Sequence, residues 1–324
     1  MGKKDIITKR FMRSKEVFAD VFNYQLFDGV PIIQPNQLQE LPKELDLVLD
    51  KTTKELTALS KERDVLMSYA GMKDDEAVYL LLGIENQSLV HYAMPVRNLL
   101  YDALQYDRQL KDIAEEHERE RKSKGSGDKD ISSGEFIGKF YKEDKIVPVI
   151  TVVVYYGASP WDGPRSLHEM FNVQDDDILQ YVADYHINLI SPADMSDREI
   201  EKFQSNFREV MEFIKYSKDK EKLRKMVDED ERYQKVSKDA ALVMDAMTSY
   251  ELKIPEEREE NVNMGNALTE IREEGRVEGR KEGFEQGLSR AACNLFRSGM
   301  SISDIAKIIQ IDEAKVVSWI GTNE

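Results

Sequence analysis

The run Val147-Pro-Val-Ile-Thr-Val-Val-Val-Tyr-Tyr156 contains almost no polar side chain and is dominated by β-branched residues. A strand with one wet face alternates apolar and polar residues; one that is apolar throughout is covered on both faces. The run therefore predicts an interior strand of an α/β sheet. It ends at Gly157, with Trp161 and Pro164 following. The loop at the carboxyl end of such a strand is a usual place for a site, and Trp161 reads as a lid on the core.

A second strand is expected in Glu76-Ala-Val-Tyr-Leu-Leu-Leu-Gly-Ile-Glu85-Asn-Gln87. Side chains two apart on a strand share a face, so Glu85 and Gln87 converge. Asp64, at the head of the apolar run Val65-Leu-Met, is placed to join them from a neighbouring strand. Two carboxylates and an amide make a hard-oxygen set suited to Mg²⁺ (or Mn²⁺). Acids also flank strands in many proteins, and the alternative is a capped or solvent-facing strand end.

Helical spacing of Phe11, Phe18, Val21, Phe22 and Leu26 predicts a first helix over about 9–27. A second amphipathic helix, Pro95 to Arg108, carries Arg97 and Tyr101 on one face. There they serve as auxiliary site residues, Arg97 on Glu85 or a phosphate, or else as a structural ion pair and a core-edge tyrosine. Asp46 is a further acid near the strands. His91, just before that helix, reads as a cap or loop residue. Residues 115–134 pass from mixed charge into Gly and Ser and are expected to be a mobile insertion. From Asp197 to Met247 the pattern is helical and highly charged.

The order helix, strand with Asp64, strand with Glu85 and Gln87, helix, apolar strand resembles the PD-(D/E)XK nuclease core. More narrowly, the chain resembles the recombination-promoting nuclease family, a group also described as transposases. The likeness is carried by Arg63-Asp64-Val-Leu, by Leu82-Gly-Ile-Glu85-Asn-Gln87-Ser, by His91-Tyr-Ala-Met-Pro-Val-Arg97-Asn-Leu-Leu-Tyr101-Asp, and by Val153-Val-Tyr-Tyr-Gly157 with Trp161-Asp-Gly-Pro164. It implies an α/β restriction-endonuclease-like core, a mixed central sheet flanked by helices, with an α-helical C-terminal extension. It further implies metal-dependent DNA hydrolysis with Asp64 and Glu85 as ligands, Gln87 as a catalytic residue, and Asp20 on the first helix as an auxiliary acid; Asp20 reads equally as the polar flank of an amphipathic helix. Arg63 stands where the superfamily has Pro. Gln87 stands where it usually has Lys, and an amide has no titratable proton to act as general base.

The expected organisation is a core over 1–192, a helical extension over 193–260, and a tail over 261–324. In the tail, Gly275, Gly279, Gly283 and Gly287 recur every four residues. Each glycine costs a helix up to about 1 kcal/mol, so the stripe suggests close helix self-association and a homo-oligomer, against the alternative of a flexible linker. Beyond it, Ser301 or Ser303 and Asp312 are placed to cap two short helices of a helix-turn-helix-like hairpin.

Composition limits the function classes. Acids outnumber bases 62 to 46, a net charge of -16, so DNA binding, which draws on clustered Lys and Arg, is expected to be weak and salt-sensitive. A single cysteine, Cys293, excludes an internal disulfide and a thiolate zinc site within one chain. No run reaches the ~20 apolar residues of a membrane span, and no secretory leader is seen, which gives a cytoplasmic expectation. Two other readings remain open: a catalytically weak relative acting by DNA binding or oligomerisation, and a helix-turn-helix regulator.

Overall fold

The computed structural model describes residues 2–41, 64–73, 76–124, 131–255 and 260–321. Asp46 and Arg63 lie outside the described residues. The chain forms two compact units, 1–264 and 265–324. None of the described helices is long and apolar enough to cross a membrane.

Five strands build a mixed central sheet in the first unit: β1 Leu38–Glu40, β2 Val65–Lys73, β3 Glu76–Gln87, β4 Val149–Tyr155 and β5 Asn188–Ile190, in that spatial order. β1, β2 and β3 are antiparallel neighbours, with Val65 opposite Ile84. β3, β4 and β5 are parallel, with Glu85 beside Val153 and Gln87 beside Tyr155. The apolar run is thus an interior strand. A parallel neighbour needs a long crossover, and the helix Met94–Lys124 lies within that connection. Trp161 is buried edge-on against Tyr155, ring centroids 5.3 Å apart, over Met94, Val153 and Ile187. It is a lid.

Two expectations change here. The first helix is two, α1 Lys3–Met12 and α2 Lys15–Phe27. Ser14 breaks it by turning its hydroxyl to accept from Val17 N, which caps α2. The insertion expected at 115–134 is instead helical through Lys124, the end of α3 (Met94–Lys124), and α4 covers Ser133–Gly138. Its Glu, Lys and Arg residues are good helix formers, and pairs one turn apart such as Lys122 with Glu118 (3.0 Å) support the turns.

The helical segment after the sheet belongs to the same compact unit. It comprises α6 Asp197–Ile200, α7 Phe207–Tyr216, α8 Lys220–Glu229 and α9 Lys238–Met247, while the short α5 Asp176–Leu179 lies between β4 and β5. Phe11 of α1 stacks on Phe207, which in turn meets Phe203 edge-on. Arg208 and Arg232 hold Glu212 and Glu209 of α7, both buried.

In the second unit a continuous helix, α10 Met264–Arg297, runs through the glycine stripe, so the linker alternative is not what forms. Gly283 and Gly287 face open space among the described residues. The hairpin forms from α11 Ile302–Ile309 and α12 Glu313–Gly321. Ser301 accepts from Asp304 N at 3.2 Å, and Asp312 from Ala314 N at 2.8 Å. Ala292, Ile305, Ala306 and Val316 form its small core. Cys293 is only half-buried, its thiol 3.6 Å from the Trp319 carbonyl. Lys315, the one base of α12, pairs with Glu285.

Candidate active site

Asp64 directly precedes β2, at the point where the β2–β3 ladder would continue to Glu85. Side chains replace backbone there. The Asp64 Oδ2 atom accepts from Asn86 N at 2.8 Å, and Glu85 Oε1 lies 3.4 Å from Asp64 N. Both acids are buried, Glu85 to 0% exposure. Two carboxylates taken out of water this close together need compensation.

Two helices supply it. From α1, Lys9 reaches Asp64 Oδ1 at 3.0 Å and also Asp5 at 3.2 Å. From α3, Arg97 donates to Glu85 Oε2 at 3.2 Å and, through Nε, to the Tyr101 hydroxyl at 3.1 Å. Burial works against the Lys9 ammonium, but Asp64 and then Asp5 outweigh it and hold its pKa above the ordinary lysine value. Burial likewise opposes charge on Arg97, and Glu85 and Tyr101 more than restore it. Tyr101 is held protonated by burial and by Glu85, against the pull of Arg97.

The sequence-predicted residues separate into those that meet and one that does not. Asp64, Glu85, Arg97 and Tyr101 form a continuous hydrogen-bonded chain. Gln87 stands one pleat beyond Glu85, beside Tyr155 in β4, and lines the cavity next to this chain. Asp20 is used elsewhere: its carboxylate accepts from Gln204 N (2.9 Å), Ser205 N (2.8 Å) and Ser205 Oγ (2.6 Å), tying α2 to the turn before α7. An acid that satisfies three donors in a distant turn is structural. Lys9 is the site residue that sequence reasoning missed; its one-turn spacing from Asp5 marks only a pair along α1 and does not point to Asp64.

The donor set can be tested against a hard cation by counting oxygens. All four carboxylate oxygens of the pair already accept one donor, and each carries a second lone pair. Mg²⁺ takes one or two carboxylates and keeps several waters, so the pair fits, with Lys9 or Arg97 adjusting its hold. Among the described residues no group of three or more His, Cys, Asp or Glu is arranged to hold a metal. Two is the number of acids on offer.

Two facing buried carboxylates, each held by a cation from a different helix at the end of one strand pair, define a paired-acid site on a mixed α/β sheet. Residues 3–240 match the family described as putative transposase, YhgA-like, and the chain belongs to that family. The match takes in every residue of the site. No curated protein and no solved structure matches the chain.

Proposed function

We propose that the chain is a metal-dependent DNA endonuclease with a PD-(D/E)XK-type core, and that Asp64, Glu85 and Gln87 form its site. One observation carries the reading: two buried acids are brought together at the end of the β2–β3 ladder, each with a cation from a separate helix, an arrangement a purely structural strand end does not need. Membership in a transposase-described family supports DNA as the partner.

Asp64 and Glu85 would hold Mg²⁺ (or Mn²⁺), which when bound supplies Lewis-acid polarisation of a phosphate oxygen and a more acidic water. Arg97 fixes the Glu85 carboxylate from one side, and Tyr101 fixes Arg97. Lys9 holds Asp64 from the other side, so the pair keeps its geometry. Gln87 orients water or phosphate through its amide and moves no proton. Arg10 and Arg13 are paired with Asp239 and Glu40, which leaves α1 less cationic than its sequence suggests and fits weak, salt-sensitive binding.

Incubation of the protein with supercoiled plasmid tests the reading: nicked or linear product is expected with Mg²⁺ and none in EDTA. No product at any divalent ion concentration would leave a binding protein. Gln87→Ala is expected to slow cleavage by on the order of 10- to 100-fold through misplacement alone, with no shift in pH optimum. A shifted optimum would show that Gln87 takes part in a proton step.

Self-association through α10 belongs to the same proposal. Gly283 and Gly287 leave an open stripe on a long helix, where another backbone can approach closely. Gly283→Leu with Gly287→Leu adds up to about 2 kcal/mol of helix propensity, yet is expected to lower the mass seen by light scattering. An unchanged mass would remove the stripe from any interface.

A further inference from the structure

A cavity of about 210 Å³ opens beside the paired acids, between the amino end of α1 and the loop after β3. Its polar lining carries Lys4, Asn86, Gln87 and His91 together with one carboxylate, Asp5, which is paired with Lys9 at 3.2 Å; its apolar lining includes Val90 and Met247. Two polar atoms in it are buried without a hydrogen-bond partner among the described residues, Asn86 Nδ2 and His91 Nδ1. Buried polar groups are nearly always paired, and leaving one unmade costs about 1–3 kcal/mol. The other end of the Asn86 amide is committed, since its Oδ1 accepts from Tyr156 OH at 2.9 Å. That fixes which atom is left over: Nδ2, a donor.

With the Asp5 carboxylate already answered by Lys9, an unpaired amide donor, a lysine from α1 and an imidazole nitrogen together call for an acceptor-rich, anionic group. The apolar part of the lining calls for a less polar body attached to it. The volume admits one such unit and excludes a base pair. Through Asp5 and Lys9 the cavity is contiguous with Asp64, and Asn86 is the neighbour of Glu85.

We infer that this cavity seats one deoxyribose-phosphate unit of the DNA strand next to the bond to be cut, with Asn86 Nδ2, Lys4 and His91 on the phosphate and Val90 and Met247 against the sugar. The inference rests on the nuclease reading for its substrate, but its test needs no cleavage.

The test is fluorescence anisotropy of a labelled ten-residue oligothymidylate in EDTA, with competitors. Asn86→Asp keeps the acceptor for Tyr156 and turns the spare donor into an anion; Lys4→Met removes one exposed charge and cannot disturb a core. Each is expected to weaken binding about tenfold. Lys3→Met, which removes the same charge one residue away from the cavity lining, is expected to change it by no more than about twofold. Thymidine monophosphate should compete better than inorganic phosphate, and thymidine should compete least. Wild-type affinity in Asn86→Asp, an equal loss in Lys3→Met, or thymidine competing as well as its monophosphate would overturn the assignment. Inorganic phosphate competing as well as the nucleotide would overturn the strand assignment in favour of free phosphate. Loss of binding in the variants without any Mg²⁺-dependent nicking by the wild type would uphold the cavity and sink the nuclease reading alone.

Discussion

Asp64→Asn and Glu85→Gln are each expected to lower Mg²⁺-dependent plasmid cleavage by on the order of 10³-fold, about 4 kcal/mol of transition-state stabilisation. Amides are the informative replacements. Glu85 has no exposure and carries the Arg97 guanidinium; truncating it to alanine would open a cavity and strip Arg97 of its carboxylate partner, and so confuse loss of fold with loss of chemistry. Asn at 64 keeps an oxygen for the Asn86 amide, and Lys9 keeps Asp5. Circular dichroism should therefore remain that of the wild type. Cleavage retained in both variants would detach the chemistry from this pair of residues.

Asp20→Ala has the largest expected effect on stability. Three donors from Gln204 and Ser205 converge on one buried carboxylate, and its removal strands backbone amides in the join between α2 and α7. A loss of ~2–4 kcal/mol follows, which for a unit of this size lowers the melting temperature by roughly 5–15 °C. Asp20→Asn should recover part of it, since one acceptor oxygen remains. A variant that melts like the wild type yet cannot cleave DNA would return Asp20 to the site.

The strands that position the site were legible because their signals are local. Uniform β-branching marked β4 as interior, and the two-residue period put Glu85 and Gln87 on one face of β3. Asp64 was legible through its place at the head of an apolar run. Arg97 on Glu85 followed from a helix face. What was not legible is tertiary. Asp20 and Asp64 look alike in sequence, each an acid beside an apolar stripe, and only the arrival of the 204–205 turn, some 184 residues away, separates them. Lys9 has no local mark that selects Asp64 over solvent. The break at Ser14 was missed because the apolar spacing carries across it, whereas a cap outweighs the pattern at one residue. Helix persisted through 115–124 because charge patterning can support a solvated helix where there is no apolar face to bury.

Binding of Mn²⁺ followed by electron paramagnetic resonance puts the paired-acid site to its most direct test. A site built from Asp64 and Glu85 predicts one ion per wild-type chain at micromolar to millimolar concentration, displaced by Mg²⁺ and lost in both Asp64→Asn and Glu85→Gln. The same stoichiometry and affinity in the two variants as in the wild type would mean that these carboxylates, buried and adjacent as they are, do not hold the metal.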